Sequence, residues 1–222
     1  MRLNVMSNYR WLKISCFITL FSCLMIGEKT LAHHAFEGKT PTNLFEGFVS
    51  GLAHPIIGLD HFAFVVASGL LGARLKQGIL VPIVFILATM AGTGIHLQEI
   101  NLPFAEGIIA ASVIIFGGLL TVKNERLDAS YWSMMVVSTL AMLAGIFHGY
   151  AYGESIVGSE MTPLMAYLAG FAMIQLIVAL LVFFVGKVMF KQGENKAFSI
   201  IRLIGVGISA LGFVFLSANF GH

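Results

Sequence analysis

The stretch TPLMAYLAGFAMIQLIVALLVFFVGKV, residues 162–188, contains a single charged side chain, Lys187. It exceeds the about 20 residues that an α-helix needs to cross roughly 30 Å of hydrocarbon. Five further apolar stretches, near residues 55–73, 78–95, 104–122, 131–149 and 198–220, are close to or above that length. The whole chain has 222 residues, of which 58% are apolar and 11% charged, with a mean hydropathy of +0.90. Soluble domains are about 45–50% apolar and about 25% charged. The shortage of charge excludes a soluble globular enzyme, a disordered tail and a nucleic-acid binder. The expected fold is all-α and polytopic, with six transmembrane helices in a lipid bilayer.

Ahead of the spans, residues 1–32 carry Arg2, Arg10 and Lys13, an apolar run over 14–26, and a polar stretch ending Thr30-Leu31-Ala32. That run is short for a span and fits a secretory signal peptide, so cleavage after Ala32 is expected. This reading is preferred to an uncleaved anchor, and to lipidation at Cys23, where Phe21 is bulky for such a site. Both cysteines, Cys16 and Cys23, would leave with the signal, so the mature chain would have no disulfide or thiolate metal site. Four of the 13 basic residues and one of the 11 acids leave with it, turning a net charge of +2 into −1.

With the mature N-terminus outside, Arg74, Lys76, Lys123, Arg126, Lys187, Lys191, Lys196 and Arg202 fall in inner loops, and only Lys39 lies outside. This sorting of Lys and Arg supports six spans in a bacterial inner membrane with both termini periplasmic. Residues 33–222 are expected to form one membrane domain. Residues 44–53 are too short to span and open with Asn43 and Glu46 in capping-box spacing, predicting an interfacial or re-entrant half-helix. Asn101 with Pro103, and Thr162 with Pro163, are expected helix starts. Gly145, Gly149 and Gly153, at four-residue spacing, read as a surface for close helix packing.

On this topology all seven histidines lie on the outer side or in the outer half of the membrane, with most of the acids. His34, His222, Glu37 and Glu160 read as solvated terminal or loop residues. Asp60, His61 and His148 lie within or against apolar runs, where an ionisable group is costly and is usually paired and functional. Imidazoles and carboxylates without thiolates suit nickel, cobalt or zinc. The first concentrated motif is His54-Pro55-Ile56-Ile57-Gly58-Leu59-Asp60-His61. Pro55 suits the first turn of a helix, with His54 at its mouth. In a regular helix His54 and His61 share a face about 10 Å apart, so joint ligation requires an irregular turn, for which Gly58 is suited. Otherwise the two serve successive steps of a path. Asp60 could orient an imidazole or complete a metal shell. The second motif is Phe147-His148-Gly149-Tyr150-Ala151-Tyr152-Gly153-Glu154.

At these residues, together with Glu106 opening the third span, the chain resembles the HupE/UreJ family of hydrogenase and urease accessory membrane proteins, regarded as nickel or cobalt permeases. The resemblance covers essentially the whole mature chain in order. It implies metal positions at His54, Asp60, His61, His148 and Glu154, with His33, His96 and Glu106 as weaker candidates. Tyr152 departs from the family pattern, which usually has a histidine there, and tyrosine is a poorer ligand for a divalent ion at neutral pH.

The expected function is uptake of a divalent ion, nickel or cobalt with zinc as a further candidate, from the outer face to the cytoplasm. The ion is the transported substrate, and no permanent cofactor and no enzymatic activity are expected. Capture would begin at outer ligands, including His33 with the new N-terminal amine, and delivery would be to metallochaperones. No Walker-type phosphate loop is present, and inward movement of two charges can draw roughly 4.6 kcal/mol per 100 mV of membrane potential. Neutral imidazoles must be available, so uptake is expected to weaken below about pH 6. Two competing readings are an intramembrane zinc-dependent hydrolase, which needs a tightly held ion and an open coordination position, and a non-transporting scaffold for metalloenzyme assembly.

Overall fold

A computed structural model describes residues 40–220. The expected signal segment, residues 1–32, lies outside the described residues, as do His33, His34, Glu37 and His222. The described chain is helical: α1 (Leu44–Ile57), α2 (Leu59–Arg74), α3 (Leu80–Leu97), α4 (Ala105–Thr121), the single turn α5 (Glu125–Asp128), α6 (Tyr131–Glu154), α7 (Met161–Gln192) and α8 (Glu194–Phe220).

The half-helix forms as the capping signal predicts. Asn43 is extended and its side chain accepts from the Glu46 N–H at 3.0 Å. The Glu46 carboxylate reaches back one residue further than a standard capping box, accepting from the N–H and hydroxyl of Thr42, each at 2.9 Å. α1 then runs past the expected end at residue 53. Pro55 lies in its last turn rather than in the first turn of the next helix. The chain breaks at Gly58, and α2 leaves at 76° to α1. The Gly58 N–H closes α1 on the His54 carbonyl at 3.0 Å. Gly58 has φ −69°, which any residue adopts, so its backbone freedom is not what the break uses. What it uses is the missing Cβ, which would stand 2.6 Å from Cδ2 of the His61 ring.

α2 is the central element, packed against α7, α4, α3 and α8. Around it the other helices pair off, α1 with α7, α3 with α6 and α4 with α8. Phe64, Val65, Ala67, Leu70 and Leu71 of α2 join Phe85, Val113, Phe116 and Leu120 in the main core. Glycines set the closest approaches. A Cβ on Gly92 would overlap the Ile146 carbonyl, and one on Gly149 the Thr89 carbonyl, so α3 and α6 touch backbone to backbone. The expected packing role of Gly145, Gly149 and Gly153 is therefore seen, against Phe85, Thr89 and His96 in turn.

Four helices, α3, α6, α7 and α8, are each long and apolar enough to cross a membrane, and the bent pair α1–α2 passes the same test taken together. α4, with 17 residues, is a shorter apolar helix. It begins at Ala105, beyond Asn101 and Pro103, because Phe104 takes a left-handed conformation (φ 58°) that starts the helix after it. α7 begins one residue before the expected Thr162. Large apolar side chains such as Leu143, Leu181, Phe184, Leu203 and Phe213 are exposed on α6, α7 and α8. Such surfaces are stable against lipid tails rather than water, and the chain is a membrane protein.

Candidate functional site

Three of the expected site histidines converge. His54 near the end of α1, His61 in the first turn of α2 and His148 on α6 are 5%, 1% and 0% exposed. The ring centroids of His54 and His61 are 5.8 Å apart, and those of His61 and His148 are 4.9 Å apart. In a straight helix His54 and His61 would be about 10 Å apart. The 76° break at Gly58 is what closes that gap.

Each imidazole is held through a ring nitrogen. Nδ1 of His61 lies 2.8 Å from Nδ1 of His148. Nε2 of His148 lies 3.0 Å from the Ser112 hydroxyl of α4, which donates to the Ile109 carbonyl at 2.7 Å. Nδ1 of His54 is 2.9 Å from both the Ser155 and the Tyr167 hydroxyls, and Tyr167 donates to the Tyr152 carbonyl at 2.9 Å. Asp60 is buried and accepts from the His61 backbone N–H at 2.8 Å, a carboxylate at the start of α2 where the helix dipole favours it.

Tyr152 closes the group. Its ring, fully buried, lies 5.0 Å from His54 and 4.5 Å from His61, and its hydroxyl is buried without a hydrogen-bond partner among the described residues. Tyr152 thus packs against both His54 and His61. Beyond His148 lies an aromatic layer: Phe64 is 4.8 Å and Phe85 5.5 Å from its ring, and Phe116 stacks on Phe64 at 4.3 Å.

The other candidates lie apart. Glu154 is the exposed last residue of α6 and is not drawn into the histidine group. Six residues after His148, it faces another side of the same helix. His96 is half-buried at the end of α3 and packs on Tyr150, with centroids 4.4 Å apart. Glu106 is half-buried in the first turn of α4. Among the described residues no group of three or more His, Cys, Asp or Glu side chains is arranged to hold an ion in this conformation. Reading by motif missed Ser112, Ser155 and Tyr167, which orient the imidazoles. A serine in the middle of an apolar span is the signal that could have found Ser112.

A broken helix carrying two histidines, joined by a third from another apolar helix, defines a membrane protein with a buried imidazole site. The family model described as HupE / UreJ protein matches residues 21–215, and the chain belongs to the HupE/UreJ family. A curated relative, Protein HupE of Rhizobium leguminosarum bv. viciae, is 27% identical over 168 residues, covering 75% of this chain and 82% of the relative. No solved structure matches.

Proposed function

We propose that the chain carries a divalent transition-metal ion, nickel or cobalt, across the bacterial inner membrane from the periplasm to the cytoplasm, in support of metalloenzyme maturation. On this reading the signal is removed after Ala32, six spans cross the bilayer with α4 among them, and both termini are periplasmic. The observation that carries the reading is the buried group of His54, His61 and His148 beside Asp60, formed where α1 breaks from α2. A cluster of imidazoles inside an apolar bundle costs stability and is retained for function. Imidazole and carboxylate replace the water shell of a borderline divalent ion, and neutral imidazole is the ligating form. His33, His96, Glu106 and Glu154 are then capture residues outside the buried group. Passage beyond His148 requires Phe64, Phe85 and Phe116 to part, so the conformation described here is closed. Cytoplasmic metallochaperones would receive the ion.

The test is accumulation of radioactive nickel, cobalt and zinc in cells with and without the protein, and with His54→Ala and His148→Ala at matched membrane abundance. Accumulation is expected to fall to the level of cells lacking the protein in both variants. Unchanged accumulation in both removes this pathway.

A further inference from the structure

We propose that Ser112 and Tyr167 are positioning residues that set the tautomers of the three histidines, so that His54 and His61 both carry their lone pair on Nε2. This rests on the metal-transport reading for its purpose, but the wiring stands or falls by itself. A hydroxyl has one hydrogen to give, and a neutral imidazole has one N–H and one lone pair. Ser112 gives its hydrogen to the Ile109 carbonyl, so its oxygen can only accept from the nearby Nε2 of His148. Neutral His148 therefore has its proton on Nε2 and its lone pair on Nδ1. That lone pair, 2.8 Å from Nδ1 of His61, accepts the His61 proton. Neutral His61 is left with its lone pair on Nε2.

An independent chain reaches the same result for His54. Tyr167 gives its hydrogen to the Tyr152 carbonyl, so its oxygen can only accept from Nδ1–H of His54; the Ser155 hydroxyl, also 2.9 Å from Nδ1, is then a second acceptor of that hydrogen, and the His54 lone pair also falls on Nε2. Both Nε2 atoms are buried, and the Tyr152 ring packs on both imidazoles. Histidines that bind metals commonly donate their second ring N–H to a fixed acceptor, which sets the tautomer and the orientation of the ring. Here the acceptors are a tyrosine oxygen for His54 and a third imidazole for His61. His148 is accordingly the residue that positions His61 in the closed conformation, and the donor pair offered to an ion is His54 and His61.

The experiment is nitrogen-15 NMR of the full chain, labelled at histidine and held in lipid nanodiscs without metal, with His54→Gln, His61→Gln and His148→Gln used for assignment. Long-range couplings to the ring protons report which nitrogen carries hydrogen. The expected spectrum has Nδ1–H on His54 and His61 and Nε2–H on His148. Ser112→Ala should shift protonation of His148 and with it His61, and Ser112→Thr should restore both. Tyr167→Phe should alter His54 while leaving His61 and His148 as they were. Nε2–H on His61, or on His54, in the unsubstituted protein overturns the proposal. Zinc, added as a diamagnetic probe, should move the Nε2 signals of His54 and His61 before that of His148. If the tautomers are as stated and zinc moves none of them, the wiring holds and the transport reading fails. If zinc binds first through His148, the assignment of the donor pair is overturned.

Discussion

At the N-terminal end of α2, Asp60 and His61 are buried among imidazoles and hydroxyls, whereas about 20 Å along the same helix Arg74 is buried among carbonyls and a carboxylate. The Arg74 guanidinium makes a forked bond to Asp128, with both oxygens at 2.9 Å, and donates to the Leu119 and Val122 carbonyls at 3.1 and 2.7 Å. Those carbonyls belong to the end of α4, which has no further helical turn to satisfy them. Among the described residues the ion pairs, Arg74–Asp128 and Lys123 with Glu125 and Glu194, gather at this end. The arginine end spends its polar groups on one another and joins α2, α4 and α5. The histidine end is joined by hydroxyl–imidazole and imidazole–imidazole bonds. One arrangement suits a fixed joint, and the other suits a cation that arrives and leaves.

If that contrast is right, the larger stability loss comes from the arginine end. Arg74→Ala removes the cap of α4 and strands Asp128, and breaking a buried pair from one side costs about 3–5 kcal/mol. Asp128, the partner left behind, is 26% exposed, so water compensates in part and the loss is expected at the low end of that range. Thermal unfolding in detergent should show the drop, with Arg74→Lys intermediate because a single ammonium nitrogen cannot replace both Nη2 on Asp128 and Nη1 on the Leu119 carbonyl. A loss below about 1 kcal/mol for Arg74→Ala, or one matched by Ser112→Ala, would erase the distinction between the two ends.

Much of this contrast was legible in the residues, for reasons that differ by feature. The apolar stretches and the half-helix at Asn43 could be read because length, hydropathy and capping are local properties. The convergence of His54 and His61 could be foreseen only conditionally, since it turns on a break whose position depends on α1 packing against α7. Pro55 suggested a helix start, yet the break came at Gly58, where the His61 ring occupies the space a Cβ would take. The partners of the histidines were hidden because Ser112 and Tyr167 meet them from helices distant in sequence. Glu154 followed its motif in sequence but not in space, because six residues along a regular helix carry a side chain to another face.

Tyr152 sharpens the comparison from inside the histidine end. Burying a hydroxyl without a partner costs about 1–3 kcal/mol in proteins, and the Tyr152 hydroxyl is buried without one among the described residues. Tyr152→Phe should therefore leave the metal-free protein equally stable or up to about 1 kcal/mol more stable. In the same variant zinc binding should weaken if the hydroxyl faces the bound ion. Tyr152→His, which brings the residue closer to the pattern the family resemblance implies, should tighten nickel binding by adding an imidazole. Thermal unfolding in detergent measures the first, and calorimetric titration with the metal the other two. A clear destabilisation by Tyr152→Phe would mean that the hydroxyl has a role in the fold, and the histidine end would then resemble the arginine end.

The smallest effect is expected at Lys123, between α4 and α5, and its sign follows from its surroundings. Partial burial pulls the Lys123 ammonium down, but Glu194 and Glu125 outweigh it and hold its pKa above the ordinary lysine value of 10.5. Because the charged form is favoured in the folded chain, its contribution is fully present below 10.5 and is lost as the pH rises through the higher folded value. Both carboxylates are exposed, at 75% and 58% for Glu125 and Glu194, so salt screens the interaction and the loss is slight. Unfolding curves at pH 9 and above pH 11 should therefore converge for Lys123→Met but separate modestly for the unsubstituted chain. A pH dependence at Lys123 as large as the loss from Arg74→Ala would place the main tie of this end at the exposed pair rather than the buried fork.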